Sequence, residues 1–297
     1  MVGSEAARAV WLEAAVNGPW SRERQPGISI GVDEIVADGI ACARAGAAIV
    51  HVHPYDVATG RQRDDPDIYQ PIIEGIRAEV DAIVYPTLPL AGSPDAPEPM
   101  APQERFAAVA ELCRRGLLEW AAVDPGTTSL THLDDLAAGR DGFIYLNPDA
   151  HVRFGLGTVA AAGVRPAYAC YEPGFTRFGA AIAASVPGLP EPVYRFMFTE
   201  GFHFGFPPRR YALEAHRRLL TDCAPGAGWM IAGLAVDVRP LISDAVELGG
   251  HVRVGLEDAP FGCAESNEQL VRDAARRIAD AGGRVATAPE VRAALAG

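Results

Sequence analysis

The segment Glu247-Leu248-Gly249-Gly250-His251-Val252-Arg253-Val254-Gly255-Leu256-Glu257-Asp258 carries the pattern that decides the fold. Its glycine pair ends a helical stretch, and an apolar strand begins directly after this tight turn. Successive side chains of a strand point to opposite faces, so the segment has one apolar and one polar face. The apolar face packs against helices in a barrel, and it consists of Val252, Val254 and Leu256. The polar face points into the barrel interior, and it consists of Arg253, Gly255 and Glu257.

Short apolar runs of this kind alternate with helical stretches along the whole chain. The nine candidate strands are residues 9–16, 47–52, 82–85, 117–123, 143–146, 164–170, 193–198, 229–234 and 252–256. Strands and helices that alternate over about 250 residues predict parallel strands with crossovers, and eight such units close a (β/α)8 TIM barrel. We therefore expect residues 143–146 to be an edge or loop element. We predict one α/β barrel domain over residues 1–297.

A doubly wound sheet is the alternative fold, and the first strand argues against it. A dinucleotide-binding sheet has a GxGxxG turn after that strand, whereas this chain has Asn17-Gly18-Pro19-Trp20. The proline-rich segment 86–102 predicts a long loop after the third strand. Long loops at that face of a barrel commonly build the active site.

The charged residues exclude several classes of function. All 26 basic residues are arginine, so Schiff-base chemistry, pyridoxal phosphate and a Walker A lysine are excluded. A net charge of −12 without a basic block argues against a nucleic-acid partner. There is no apolar run of about 18 residues and no leader pattern at residues 1–7, so we expect no membrane partner and no export. Five widely spaced cysteines are typical of a reducing cytoplasm.

Two histidines and two glutamates are candidate site residues. His51 and His53 share one face at the end of the second strand, about 6.6 Å apart along it. Barrel closure puts the eighth strand beside the first and the first beside the second, so Glu257 and Glu13 converge on these histidines. Two imidazoles and a carboxylate suit catalytic Zn²⁺, with Fe, Mn or Co as alternatives. Without a metal, one histidine would be hydrogen-bonded in the core and the other solvated.

Arg253 is expected inside the barrel, where an unpaired charge is costly. We expect it to pair with Glu13 or Asp258 and to hold a carboxylate ionised as a base. A structural ion pair that fills the barrel is the alternative.

Segments 11–18, 46–53 and 249–258 resemble those of the β-keto acid cleavage enzymes, and the resemblance continues through residues 284–290. The string GGHVRVGLED is its most specific part. The resemblance implies a Zn-dependent barrel that forms a homo-oligomer. It also implies the reaction, in which a β-keto acid and acetyl-CoA exchange parts by a retro-Claisen step and give acetoacetate and a new acyl-CoA. It implies that the metal ligands are His51, His53 and Glu257. It implies that the acid–base network consists of Glu13, Arg253 and Asp258.

The loops that hold the substrate in this family differ here. The family's Ser/Thr-Gly-Gly after the third strand is replaced by Thr87-Leu88-Pro89, and the fourth strand is followed by Asp124-Pro125-Gly126-Thr127. We expect Thr87 and Thr127 to hold the substrate carboxylate and Asp124 to repel it. An aromatic loop over residues 199–208 carries His203 as a further ligand or acid.

The altered loops leave two other hypotheses open. One is a metal-dependent hydrolase or CoA-independent lyase, and the other is a non-catalytic ligand-binding barrel. Cys263 in the eighth loop is a candidate thiol. Of the remaining histidines, we expect His251 to be structural at the opposite rim, and we expect solvent contact for His132, His151 and His216.

Overall fold

The computed structural model describes residues 7–93 and 100–296. Residues 1–6, 94–99 and 297 lie outside this part of the chain. They include most of the segment in which no leader pattern was found, part of the predicted 86–102 loop and both ends of the predicted 1–297 domain.

Strands and helices alternate as the sequence predicts. The strands are β1 Arg8–Val10, β2 Leu12–Ala15, β3 Ile49–Val52, β4 Tyr55–Asp56, β5 Arg61–Gln62, β6 Ile83–Pro86, β7 Trp120–Ala122, β8 Thr128–Leu130, β9 Phe143–Tyr145, β10 Arg165–Cys170, β11 Val193–Phe198, β12 Trp229–Gly233, β13 His251–Val254 and β14 Gly283–Val285. The helices are α1 Val32–Arg44, α2 Pro66–Glu79, α3 Pro102–Arg105, α4 Ala107–Arg114, α5 Leu133–Ala137, α6 Asp149–Ala161, α7 Pro173–Ala183, α8 Arg210–Cys223, α9 Ile242–Glu247, α10 Asn267–Asp280 and α11 Ala288–Leu295, with a 3-10 helix at Arg239–Leu241. Among the described helices, none combines the length and the apolar character needed to cross a bilayer.

Eight parallel strands form the predicted (β/α)8 barrel. Their hydrogen-bonded order is β6-β3-β2-β13-β12-β11-β10-β7, and β6 and β7 at its two ends contact each other. The eighth barrel strand, β13, therefore lies beside the first, β2, and β2 lies beside the second, β3. Residues 143–146 are not part of the barrel, since β9 pairs antiparallel with β8. This confirms the interpretation of that run as an edge element.

The side chains of β13 alternate between the helices and the barrel interior, as predicted. Val252, Val254 and Leu256 belong to the core between strands and helices. Arg253 is buried inside the barrel beside Glu13 of β2. Below these charges a separate apolar layer closes the N-terminal end of the barrel, with members that include Trp11, Ile49, Trp120, Met230 and Val291 of α11.

Gly255 ends β13 in a conformation that a larger residue could not share. Its φ is +150°, and a Cβ at this position would lie 2.0 Å from the carbonyl oxygen of Ala15. Only glycine lets the two strands approach this closely while the chain turns toward Glu257.

Two histidines that were predicted to be solvated are buried. The buried face of α6 includes His151, and the buried face of α8 includes His216, so the helical periodicity directs both rings toward the barrel. The His216 ring lies 4.7 Å from that of Phe196 and 5.4 Å from that of Phe206. Neither His216 nitrogen has a hydrogen-bond partner among the described residues. Burial lowers the pKa of His216 to about 4.

Replacing this histidine should make the protein more tolerant of acid. The His216 pKa is about 4 in the folded chain against an ordinary 6.5, so the stabilisation it contributes is complete above pH 6.5 and is lost as the pH falls toward 4. That loss amounts to about 3 kcal/mol. We expect His216→Phe to lose less stability than wild type between pH 7 and 4.5 in urea unfolding. Equal losses for both proteins would contradict this assignment.

Candidate metal centre and active site

His51, His53 and Glu257 meet at the C-terminal mouth of the barrel. His51 lies on β3, His53 follows that strand directly, and Glu257 follows β13. The Nε2 of His51 is 3.6 Å from Glu257 Oε2, and the Nε2 of His53 is 3.4 Å from Oε1. One ligand atom of each side chain lies within 4.8 Å of the others. The predicted convergence of the second and eighth barrel strands is therefore present.

Burial acts on the ring of His51, and a hydrogen bond orients the ring of His53. Burial lowers the pKa of His51 well below its usual range, so its ring is neutral. The Nδ1 of His53 is 2.8 Å from Gln62 Oε1, while Gln62 Nε2 donates to Asp64 and to the Leu88 carbonyl. Since Oε1 can only accept, Nδ1 of His53 donates to it, and Nε2 is the nitrogen that faces Glu257.

The loop after β2 holds His53 and Glu257 in place. The buried Asn17 accepts from the His53 N–H and donates to the His53 carbonyl, at 2.9 Å each. Trp20 Nε1 donates to the Glu257 carbonyl at 2.7 Å. At Gly18, which has φ +65°, a Cβ would lie 2.6 Å from Glu257 Cγ. Glycine is therefore needed for the Glu257 side chain to fill this space.

Arg253 joins the carboxylates of the mouth. Its Nη2 lies 2.7 Å from Glu257 Oε1 and 2.7 Å from Asp258 Oδ1, and its Nη1 donates to Glu13 Oε1 at 3.1 Å. Burial raises the pKa of Glu257, but its charged neighbours, of which the Arg253 guanidinium has the largest effect, hold this pKa well below its usual range. The expected pairing with Glu13 or Asp258 is present with both. Glu13 Oε2 has no hydrogen-bond partner among the described residues.

Tyr85 and Arg195 extend this network, and the sequence analysis missed both. Tyr85 O–H donates to Glu13 Oε1 at 2.6 Å, and Arg195 Nη1 donates to the Tyr85 hydroxyl at 3.0 Å. Arg195 Nη2 lies 3.7 Å from Asp124 Oδ1. A charged residue inside the apolar run 193–198 is the signal that identified Arg253, and it was available for Arg195 as well.

The predicted substrate residues differ in exposure and in their contacts. Thr87 is half-buried after β6, and the exposed Thr127 accepts from the Asn147 N–H. Asp124 is buried, with one oxygen accepting from Tyr145 O–H at 2.7 Å and the other from the Ala169 N–H at 2.8 Å. His203 is exposed and does not belong to the cluster of possible ligands found among the described residues.

The remaining candidates lie outside the metal cluster. Cys263 is half-buried, and its N–H donates to Gln25. His132 is half-buried rather than solvated, because its ring caps α5 by accepting from the Asp134 N–H. His251 stacks on Trp11 at 3.8 Å, and burial lowers its pKa to about 3. Its structural role at the opposite rim agrees with the prediction.

The residues at the mouth fit a divalent cation. Three buried atoms of these side chains have no hydrogen-bond partner among the described residues, namely His51 Nδ1, His53 Nε2 and Glu257 Oε2, and the last two lie where the side chains face one another. The buried charges connected to the cluster comprise four acids and two arginines, namely Glu13, Asp124, Glu257, Asp258, Arg195 and Arg253. When all are ionised their net charge is −2. A buried excess of negative charge is costly unless a cation balances it.

Known proteins are similar to this chain in sequence or in fold. A 3-dehydrocarnitine:acetyl-CoA trimethylamine transferase from Rhizobium meliloti (strain 1021) is 26% identical over 97% of this chain and 96% of its own. A 3-oxoadipate:acetyl-CoA acetyltransferase from Cupriavidus necator is 28% identical over 96% of this chain and 93% of its own. The solved structure of ObcA with oxaloacetate superposes with a TM-score of 0.68 at 18% identity, covering 91% of this chain and 67% of ObcA. That likeness supports the barrel fold.

The family model described as beta-keto acid cleavage enzyme matches residues 9–296, which is nearly the whole described chain. The non-catalytic hypothesis is thereby set aside. The chain belongs to the β-keto acid cleavage enzyme family and is an enzyme.

Proposed function

We propose that this enzyme exchanges acyl groups between a β-keto acid and acetyl-CoA. The C2–C3 bond of the keto acid breaks, C2 bonds to the acetyl carbonyl carbon, and the C3 acyl group leaves as a new CoA thioester. Acetoacetate and the acyl-CoA balance the equation without water or an oxidant. The observation that carries this proposal is the convergence of His51, His53 and Glu257 beside Glu13 in a chain of this family.

His51, His53 and Glu257 would hold the metal, and we propose Zn²⁺. The ligand set of two imidazoles and a carboxylate leaves an open position, as catalytic zinc sites do. When bound, such an ion polarises a carbonyl oxygen and stabilises enolate charge. The net charge of −2 in the connected network supports this proposal, and so do His53 Nε2 and Glu257 Oε2, which have no hydrogen-bond partner among the described residues.

Glu13 is the residue to which we assign proton transfer. Its Oε1 is occupied by Tyr85 and Arg253, which leaves Oε2 to accept the C2 proton. The C2 carbanion displaces the CoA thiolate from the acetyl group, and the thiolate then attacks C3. Cleavage of the C2–C3 bond leaves a carbanion at C2 of acetoacetate, and Glu13 returns the proton there. Asp258 holds Arg253 through both carboxylate oxygens.

The use of acetyl-CoA is supported by the relatives, whose names include acetyl-CoA as a reactant. The altered loops after β6 and β11 are the reason to test this point directly.

The first experiment asks whether acetyl-CoA is required. Purified enzyme is incubated with a panel of β-keto acids, with and without acetyl-CoA, and both products are followed by chromatography. We expect acetoacetate and the matching acyl-CoA in equal amounts, and only when acetyl-CoA is present. Turnover at the same rate without acetyl-CoA would overturn the proposal in favour of a CoA-independent lyase or a hydrolase.

The second experiment measures bound metal. We expect about one zinc ion per purified chain. His51→Ala and Glu257→Gln each remove a ligand, so the metal content should fall at least about tenfold. His216→Phe changes a buried histidine outside the cluster and is the matched control, with its metal content unchanged. Full metal content in His51→Ala would show that the site is elsewhere.

The third experiment compares two carboxylates that contact Arg253. Glu13→Gln keeps the size of the side chain but removes the proton acceptor, so kcat should fall by about 10²- to 10⁴-fold. Asp258→Asn should have a smaller effect on kcat, because this side chain acts through Arg253. If Asp258→Asn abolished turnover and Glu13→Gln did not, the proton acceptor would be Asp258.

A further inference from the structure

Arg105 differs from the other arginines buried in the described part of the chain. Arg195 and Arg253 lie within ion-pair distance of carboxylate oxygens. Arg105 is 1% exposed, and no ion pair connects it to a carboxylate of the described residues. Its Nη1 donates to the Leu146 carbonyl, whereas its Nε and Nη2 have no hydrogen-bond partner among the described residues.

The two nitrogens without partners form one edge of the guanidinium. Nε–H and Nη2–H point in parallel and match the two oxygens of a carboxylate. Burying a charged edge without acceptors is costly, and folded proteins rarely leave such groups unpaired. An anionic ligand that docks on this edge would supply both missing hydrogen bonds.

Arg105 lies where the third and fourth βα loops meet at the mouth. Its guanidinium lies over the Tyr145 ring, 5.6 Å from the centroid, and Tyr145 O–H donates to Asp124 at the end of β7. The Leu146 carbonyl that it binds precedes Asn147, whose N–H donates to Thr127. Arg105 is thus connected through Leu146 and Asn147 to Thr127, which is predicted to hold the substrate carboxylate.

Asp64 connects Arg105 to the residues that orient His53. Burial raises the pKa of Asp64, and Arg105 is among the neighbouring groups that lower it, so the two lie close enough for their charges to interact. Asp64 accepts from Gln62, which in turn orients His53. Asp64 also accepts from Tyr69. Each of its oxygens therefore accepts from another donor, and neither Nε nor Nη2 of Arg105 is bonded to it.

We propose that Arg105 binds the carboxylate of the keto acid through Nε and Nη2. The identity of the ligand rests on the proposed function, whereas the anion site itself rests on the unpaired edge. Asp124, which was expected to repel an anion, has both oxygens engaged by Tyr145 and Ala169. A substrate held by Arg105 would therefore have its carboxylate at the third and fourth loops and its keto group toward the β3 and β13 side.

The experiment measures anion binding without turnover. Acetoacetate and its uncharged methyl ester are titrated into the metal-loaded enzyme by calorimetry. We expect wild type to bind acetoacetate much more tightly than the ester. Arg105→Met should weaken acetoacetate binding by about 10- to 100-fold and leave the ester unchanged. Arg105→Lys keeps the charge but loses the paired edge, so its affinity for acetoacetate should lie between those of wild type and Arg105→Met.

Arg77→Met is the matched control. Arg77 also donates to a backbone carbonyl, that of Leu117, but it lies on α2 away from the mouth. We expect its acetoacetate affinity to equal that of wild type. In Arg105→Ala, added guanidinium ion should restore part of the binding, which loss of a purely structural contact would not allow. Equal acetoacetate affinity in wild type and both Arg105→Met and Arg105→Lys would overturn the proposal.

Kinetic measurements distinguish a keto acid carboxylate from a CoA phosphate as the anion that Arg105 binds. With a cleaved substrate, Arg105→Met should raise KM for the keto acid and leave KM for acetyl-CoA within about twofold. A rise confined to the KM for acetyl-CoA would mean that Arg105 binds a CoA phosphate, and would overturn the proposal. If no β-keto acid is cleaved but acetoacetate binding still depends on Arg105, the proposed function fails and the anion site stands.

Discussion

The guanidinium of Arg253 lies between three buried carboxylates, and the whole site depends on this contact. Glu257, Asp258 and Glu13 all lie within ion-pair distance of it. Each of these charges would cost several kcal/mol if it were buried alone. Together the opposite charges compensate this cost of burial, and the ion pairs hold the side chains in fixed orientations. Removing Arg253 would therefore disturb three carboxylates at once, and they include the proposed metal ligand Glu257 and the proposed base Glu13.

The register of two neighbouring strands creates this contact. β13 pairs with β2 so that Arg253 lies opposite Glu13. A slip of β13 by one residue would turn Arg253 toward the helices and away from Glu13. The apolar packing of Val252, Val254 and Leu256 against those helices therefore fixes the position of the charges. On its other side β2 pairs with β3, so that His51 lies opposite Ala15 of the first barrel strand.

The sequence was sufficient to predict the barrel and the convergence of His51, His53 and Glu257, because both follow from local alternation. Side-chain direction in a strand is determined by position, so the inward residues Glu13, His51 and Glu257 could be identified once closure was assumed. The same rule identifies Arg195, whose charge in an apolar run was overlooked. His216 was placed wrongly because a histidine on an amphipathic helix gives no sign of the aromatic rings that surround it.

Arg105 and Gln62 could not be predicted by such a rule. Arg105 belongs to the four-residue helix α3, and Gln62 to the two-residue strand β5, so neither has a periodicity from which its direction could be deduced. Their directions depend on long-range contacts, with Leu146 for Arg105 and with His53 for Gln62. Residues on loops of this kind are positioned by the scaffold rather than by their own sequence pattern.

The loop after β6 explains why an arginine is needed at the third and fourth loops. A Gly-Gly turn can bind a carboxylate through its backbone N–H groups, but Leu88-Pro89 stands here, and proline has no N–H. The Leu88 carbonyl instead accepts from Gln62 and so helps to orient His53. This loop therefore supports the metal side of the mouth. An anion on the other side needs a donor from elsewhere, and the free edge of Arg105 supplies two N–H groups of fixed geometry.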